Sequence, residues 1–132
     1  MKEIETKSDE KGSSYAQLFV FRVPRKNREA MQTLEGRLVS MWKKHGIVES
    51  EFFQLTPHET VKGFTNLAET VSAGQDEEVW VEVQRYRDRE HRDQIFAAIR
   101  QDMSMLELFG QWYGLVTPGV NSVMGDFNKL KI

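Results

Sequence analysis

The chain has 132 residues, 39% of them hydrophobic and 29% charged, the balance of one globular domain long enough to bury a core. Its 18 basic and 20 acidic side chains nearly cancel to a net charge of −2, which leaves no electrostatic footprint for nucleic acid or an anionic membrane. The absence of cysteine excludes disulfides, thiolate nucleophiles and thiolate metal sites, and fits a reducing, cytoplasmic setting.

The opening segment, Met1 to Ser14, alternates charges with Ser, Thr and Gly and offers only Met1 and Ile4 as apolar groups. It has no apolar h-region, and no run in the chain approaches a membrane span. Such a segment cannot offset its ordering entropy, so residues 1–14 are expected to form a flexible tail and 15–132 a single domain. "YAQLFVFRV", Tyr15 to Val23, is β-branched and aromatic and predicts a first strand, which Pro24 ends by removing a ladder donor.

"RKNREAMQTLEGRLVSMWKKHG" then changes period. Met31, Leu34, Leu38, Met41, Trp42 and His45 recur every three or four residues, one apolar helical stripe. Lys43, Lys44 and His45 complement the dipole in the last turn, and Gly46 supplies the left-handed closing residue. Gly36 lies inside this helix at a cost of roughly 1 kcal/mol against alanine, for which a close helix–sheet approach is the expected reason.

"IVESEFFQL", Ile47 to Leu55, reads as the second strand. Residues 56–76 follow as an excursion too long for a plain connector, with Val61, Phe64, Leu67 and Val71 apolar enough to dock. "EEVWVEVQRY", Glu77 to Tyr86, is the third strand, and "DREHRDQIFAAIRQDM" the second helix, with Asp88 as N-cap and a stripe of Ile95, Phe96, Ile99 and Met103. "SMLELFGQWYGLVTPG" predicts a short helix and loop, and "SVMGDFNKLK", Ser122 to Lys131, the last strand.

The order β-α-β-β-α-β predicts an α+β, ferredoxin-like domain: a four-stranded antiparallel sheet with two helices on one face. Alternation in the third strand separates Val79, Val81 and Val83 from Trp80, Glu82, Gln84 and Tyr86. The valines are expected to face the helices. The bare face would then carry Tyr15, Phe19, Phe21, Trp80 and Tyr86, a patch large enough to call for a homodimer across a two-fold axis.

The run "FRVPRKN", the junction "WKKHG" with "ESEFF" after it, the excursion, "EEVWVEVQRYRDREHRD" and the terminal "MGDF" resemble the YbaA-like family of small bacterial and archaeal proteins of unknown function. The resemblance runs from about Tyr15 to about Lys129. It implies a dimeric α/β barrel, in which two sheets pack face to face. That superfamily holds cofactor-free monooxygenases, muconolactone isomerase-like enzymes, haem-dependent peroxidases and proteins with no known activity. No catalytic residue follows from the resemblance. The family usually places two glycines before the phenylalanine, and here Asp126 stands in the second position.

Three residues are candidates for catalysis. Glu82 is flanked by aromatics and is expected to be desolvated, which makes it a candidate base. The competing reading pairs it with Arg22 or Arg85. His45 reads first as a C-capping histidine, second as a base or axial ligand. His91, in the first turn of the second helix, reads as a ligand or as a side chain bonded to the preceding loop. His58 lies in the excursion beside Glu59, and Glu49 and Glu51 share one face of the second strand about 7 Å apart. Scattered histidines without cysteine give no metal signature, and no cofactor is expected.

Tyr15, Phe19, Trp80, Gln84, Tyr86 and Trp112 are the candidate ligand-binding set, able to stack a planar molecule. Three glutamates in the third strand argue against the RNA-recognition module that shares this topology. The leading function is therefore binding of a small aromatic or amphipathic molecule between sheet, helices and excursion. The alternatives are a cofactor-free monooxygenase- or isomerase-like enzyme, and a structural or interaction protein with no pocket.

Overall fold

A computed structural model describes residues 12–57, 59–119 and 121–132. Most of the expected tail, Met1 to Lys11, and His58 lie outside the described residues. Ser14, assigned to the tail by sequence, is tied to the sheet: its N–H and hydroxyl donate to the Arg87 carbonyl at 3.0 and 2.7 Å, and its carbonyl accepts from Lys129 N–H at 2.8 Å.

The first strand, β1, spans Tyr15–Pro24 and leads through one 3₁₀ turn into α1, Arg28–Lys44. The end of α1 is a Schellman motif. Gly46, at φ +95°, donates to the Lys43 carbonyl, and Ile47 donates to Trp42. This arrangement uses Ile47 as a capping residue, so β2 is shorter than expected, Glu49–Gln54. Within residues 56–76 lies one short helix, α2, Leu67–Thr70, whose N-cap Asn66 accepts from Ala68 N–H at 2.9 Å. Then come β3, Glu77–Tyr86, and α3, Arg89–Ile99. Asp88 caps α3 as expected, accepting from His91 N–H at 2.8 Å. The expected continuation of α3 to Met103 fails, because Asp102 starts a new helix by accepting from Ser104 and Met105 N–H. Met103 is accordingly exposed. The new helix, α4, runs Met103–Leu115 and is longer than its sequence suggested, and β4 is Val123–Asn128.

The sheet order is β2-β3-β1-β4, with every neighbouring pair antiparallel. This is the ferredoxin-like βαββαβ arrangement, enlarged by α4. The main core joins Phe21, Trp80 and Tyr86 of the sheet to Leu38 and Trp42 of α1, Ile95 and Ile99 of α3, and Leu108 of α4.

The expected faces are therefore reversed. Trp80, Glu82, Gln84 and Tyr86, with Tyr15, Phe19 and Phe21, lie on the helix side, and Val79 and Val81 lie on the other. Both faces of β3 are apolar enough to be buried, so the period of two fixes the partition and leaves its sense open. Volume decides it. Aromatic rings bury far more area than valines and take the face that three long helices can cover. The valine face receives the excursion: Val71 is fully buried against Val20 and Val79, with Leu67 beside them. Val61 and Phe64, expected to dock with them, are instead 60% and 73% exposed.

Gly36 does not approach the sheet. A Cβ added there meets nothing within 4 Å, and the residue is exposed. Gly36→Ala is expected to stabilise the protein by about 1 kcal/mol, the difference in helix propensity. Urea unfolding measures this, and a loss of stability would mean that the glycine meets something in an assembly.

Candidate functional site

Between the helix side of the sheet and the three long helices lies a cavity of about 700 Å³. Phe19, Phe21, Glu82 and Gln84 form its floor. Glu35, Leu38 and Trp42 come from α1, Phe96 and Arg100 from the end of α3, and Phe109 and Trp112 from α4. The segment after α4, through Val116 and Gly119, closes the side towards β4. No residue of the excursion lines it, because the excursion lies across the opposite face.

A row of polar side chains crosses the sheet beneath this cavity. In register, Ser50 on β2, Gln84 on β3, Gln17 on β1 and Asp126 on β4 are neighbours. Such groups survive burial only when they are bonded. Tyr86 Oη donates to Gln84 Oε1 at 2.6 Å, and Gln17 Nε2 donates to Asp126 Oδ1 at 2.9 Å. Tyr15 Oη donates to Asp126 Oδ2 at 2.6 Å. Burial opposes ionisation of Asp126, but the bonds from Tyr15 and Gln17 and the nearby Arg92 and Arg89 hold its carboxyl below the usual range. Asp126 thus anchors the edge strand to the network, a use for the side chain at the position where a second glycine was expected.

Glu82 stands at the centre of β3, opposite Phe19 and Phe52. Gln84 Nε2 donates to its Oε2 at 2.8 Å and Ser50 Oγ to the same oxygen at 3.1 Å. Neither bond reaches Oε1. The arginines weighed as partners are engaged elsewhere, Arg22 with Glu77 at 3.4 Å and Arg85 with Glu51 at 3.7 Å. Burial therefore dominates and pushes the Glu82 carboxyl up to about 7, against the two hydrogen bonds that favour its charge.

The second carboxylate of the cavity was missed by the sequence reading. Glu35 is 5% exposed and accepts from Trp112 Nε1 at 3.1 Å on Oε2. Burial first, and the negative charge of Glu82 second, push it up to about 8, while the Trp112 bond opposes them. Its signal was present: Glu35 falls four residues after Met31 and three before Leu38, inside the apolar stripe. An acid on the buried face of a helix marks a site or a buried pair.

The other candidates separate cleanly. Phe19, Gln84 and Trp112 line the cavity with Glu82, whereas Tyr15, Trp80 and Tyr86 do not. Tyr15 and Tyr86 belong to the network beside it, and Trp80 Nε1 donates to Glu78 Oε1 at 2.9 Å. His45 caps α1, as its plainer reading holds, and its Nε2 lies 2.7 Å from Asp102 Oδ2, tying the end of α1 to the start of α4. His91 Nδ1 accepts from Arg87 N–H at 3.0 Å, and the ring also bonds the backbone of Gly46. Burial and Arg87 lower its basicity, so it is a neutral brace between two loops. Neither histidine reaches the cavity. Glu49 and Glu51 occupy the face away from the helices. Among the described residues no group of three or more His, Asp or Glu is placed to hold a metal ion, and no helix is long and apolar enough to cross a membrane.

What this arrangement can do follows from its contents. Apolar and aromatic walls suit a flat apolar body in shape and polarity, and two buried carboxyls with raised proton affinity have the chemistry to accept and donate a proton. Among solved structures, the fold is similar to that of a conserved protein from Methanosarcina mazei Go1, with a TM-score of 0.60, 10% identity, and coverage of 91% of this chain and 97% of that one. It is also similar to a mutant of SnoaB, a cofactor-independent oxygenase from Streptomyces nogalater, with a TM-score of 0.54, 14% identity, and coverage of 91% and 96%. No curated protein matches the sequence. Residues 14–112 match DUF1428, a family described as protein of unknown function, and the chain belongs to that family.

Proposed function

We propose that the protein binds a small aromatic or amphipathic molecule in the cavity between the sheet and its long helices, and that it works as a homodimer. One observation carries the binding reading. The cavity, about 700 Å³, falls within the range of small-molecule sites, and its apolar walls converge on two buried carboxyls. A protein with a filled core would have no use for Glu35 and Glu82 there, since each is costly to bury as an anion.

Calorimetric titration with bicyclic aromatic probes such as 2-naphthol and 2-tetralone tests this reading. Saturable one-to-one binding in the micromolar to millimolar range is the expected result. Leu106→Trp fills the cavity from a partly exposed position on α4 and should abolish the heat without unfolding the chain. No binding to the wild type, or equal binding to the filled variant, would remove the proposal.

A second reading, a cofactor-free oxygenase- or isomerase-like enzyme, is favoured by Glu82, a carboxyl with no cationic partner among the described residues, facing the bound molecule. The fold shared with a cofactor-independent oxygenase is compatible with it but shows fold alone.

The homodimer rests on the valine face of the sheet, only partly covered by the excursion. Phe53, Val123 and Phe127 are about half exposed on it, at 53%, 47% and 52%, beside the half-buried Leu18, Val81 and Val83. A second copy of the same face is the simplest cover. The expectation of a sheet-to-sheet pair is thus kept, with its residues exchanged for those of the opposite face.

A further inference from the structure

We propose that Glu82 and Glu35 act as a base and acid pair on an enolisable carbonyl group of the bound molecule, moving a proton between carbon and oxygen. This rests on the binding reading above and adds the reaction class and a second working residue.

Geometry supports it first. Glu35 on α1 and Glu82 on β3 reach the same cavity from opposite walls, one from the helix layer and one from the sheet. Each holds its Oε2 in place, Glu35 through Trp112 and Glu82 through Ser50 and Gln84. In each, Oε1 accepts no hydrogen bond among the described residues. Those oxygens are not sealed either. The buried side-chain nitrogens and oxygens without a partner are Arg22 Nε and Arg92 Nε alone, among the described residues. The unbonded Oε1 atoms therefore keep some accessible surface, and both side chains line the cavity, although Glu35 also borders a smaller groove with Phe52 and Trp80.

Electrostatics divides the roles. The negative charge of Glu82 opposes ionisation of Glu35, so the two carboxyls lose their protons in succession, Glu82 first. Glu82 has two donors that favour its charged form and is the base. Glu35 has one donor, is pushed further up, and is the acid. The other ionisable groups near the pair are Tyr86 on β3, which burial keeps protonated, Arg100 at the end of α3 and Tyr113 on α4. Arg100 and Tyr113 are exposed at the rim, and the β4 side contributes no charge to the lining.

The step balances without a further reactant. Glu82 Oε1 takes a proton from the carbon beside the carbonyl. The C–H electron pair becomes the carbon–carbon double bond, and the carbonyl π pair moves to oxygen, which takes the Glu35 proton. Return of the protons to either carbon of the system gives exchange or a shifted double bond, with no oxidation.

The test uses 2-tetralone, an aromatic bicyclic ketone with acidic benzylic C–H bonds, and the full chain in D₂O near neutral pH. Proton NMR follows deuterium uptake beside the carbonyl, and calorimetry follows binding of the same probe. The wild type should exceed the buffer rate by roughly 100-fold or more, the ordinary scale of acid–base catalysis. Glu82→Gln and Glu35→Gln should each lose most of that acceleration while binding 2-tetralone with nearly unchanged affinity and keeping a native near-ultraviolet spectrum. Binding with exchange at the buffer rate overturns this inference and leaves the binding reading standing. Failure of the wild type to bind overturns both. Ser50→Ala supplies a check that does not depend on the glutamine variants folding. It removes one donor to the Glu82 anion, so the pH midpoint of exchange should move upward. An unmoved midpoint would mean that Glu82 is not the base.

Discussion

Unfolding free energy falls as pH is raised from about 5 to about 8 in the wild type, and the fall is much shallower in Glu35→Gln and Glu82→Gln. The sign follows from the raised carboxyls. Glu35 goes from 4.5 to about 8 on folding and Glu82 from 4.5 to about 7, so the folded state holds more protons than the unfolded state between those values. Stability contributed by these groups is full below the unfolded value and is lost as pH rises through the folded ones. A tenfold change in proton affinity corresponds to about 1.4 kcal/mol, so the two together set an upper bound of about 8 kcal/mol on the cost of the anionic protein, which relaxation and water entry reduce to a few. Glutamine keeps an acceptor oxygen for Trp112 at position 35, and for Ser50 and Gln84 at position 82, but cannot ionise. Each variant should therefore be close to wild type at about pH 5 and more stable by roughly 1–3 kcal/mol at about pH 8.5. Asp102 and Asp126, held low by hydrogen bonds, and Glu77, also held low, contribute the opposite slope only at acid pH, below this window, while His91, whose basicity burial and Arg87 lower, contributes an opposite slope inside it that wild type and both variants share. Urea unfolding at fixed protein concentration measures the effect, the fixed concentration removing any contribution from association. Parallel wild-type and variant profiles would mean that both carboxyls ionise freely and that the cavity is wet.

Strand and helix order was legible because each element carries its own period and its own stop. Pro24 ends β1, Gly46 closes α1 and Asp88 opens α3, all by local chemistry. Two things were not legible. The first was the sense of the sheet faces, since alternation is symmetric and the choice depends on which layer has area to cover the aromatics. The second was the partner of Glu82. Glu35 lies 47 positions earlier, on another element, and only the packing of α1 over β3 brings both to one cavity. Glu82 itself was found for a reason that survives the exchange of faces: desolvation between Trp80 and Gln84, here produced by the helices rather than by a second subunit. His45 and His91 show why residue type alone is weak evidence. Each is consumed by a bond to an element end, His45 by Asp102 and His91 by Arg87 and Gly46.

Val83→Asp is expected to give a folded monomer, and the wild type, on the proposed sheet-to-sheet pairing, a dimer at micromolar concentration. Val83 faces away from the helices, between Glu51 of β2 and Leu18 of β1, and is half-buried without joining the main core. A carboxylate there remains hydrated in the monomer, so the fold should lose little. In a sheet-to-sheet dimer the same carboxylate meets its symmetry mate or an apolar neighbour in a dry layer, at a cost of several kcal/mol. Phe127→Asp should act alike, because Phe127 is 52% exposed on the same face, its ring packed over Gly125. Trp80→Asp is the contrasting change. Trp80 is 5% exposed in the main core, and an unpaired carboxylate there should unfold the chain rather than separate two folded ones. Light scattering gives the mass and circular dichroism the fold. A stable interface of ordinary size covers about 800 Å² on each partner. The exposed part of this face, from Phe53 across Val81 and Leu18 to Phe127, offers an apolar centre for such an interface. Loss of mass with retained fold in Val83→Asp and Phe127→Asp, and loss of fold in Trp80→Asp, assigns the interface to the valine face. A wild type that scatters as a monomer would instead leave Phe53, Val123 and Phe127 to a different partner.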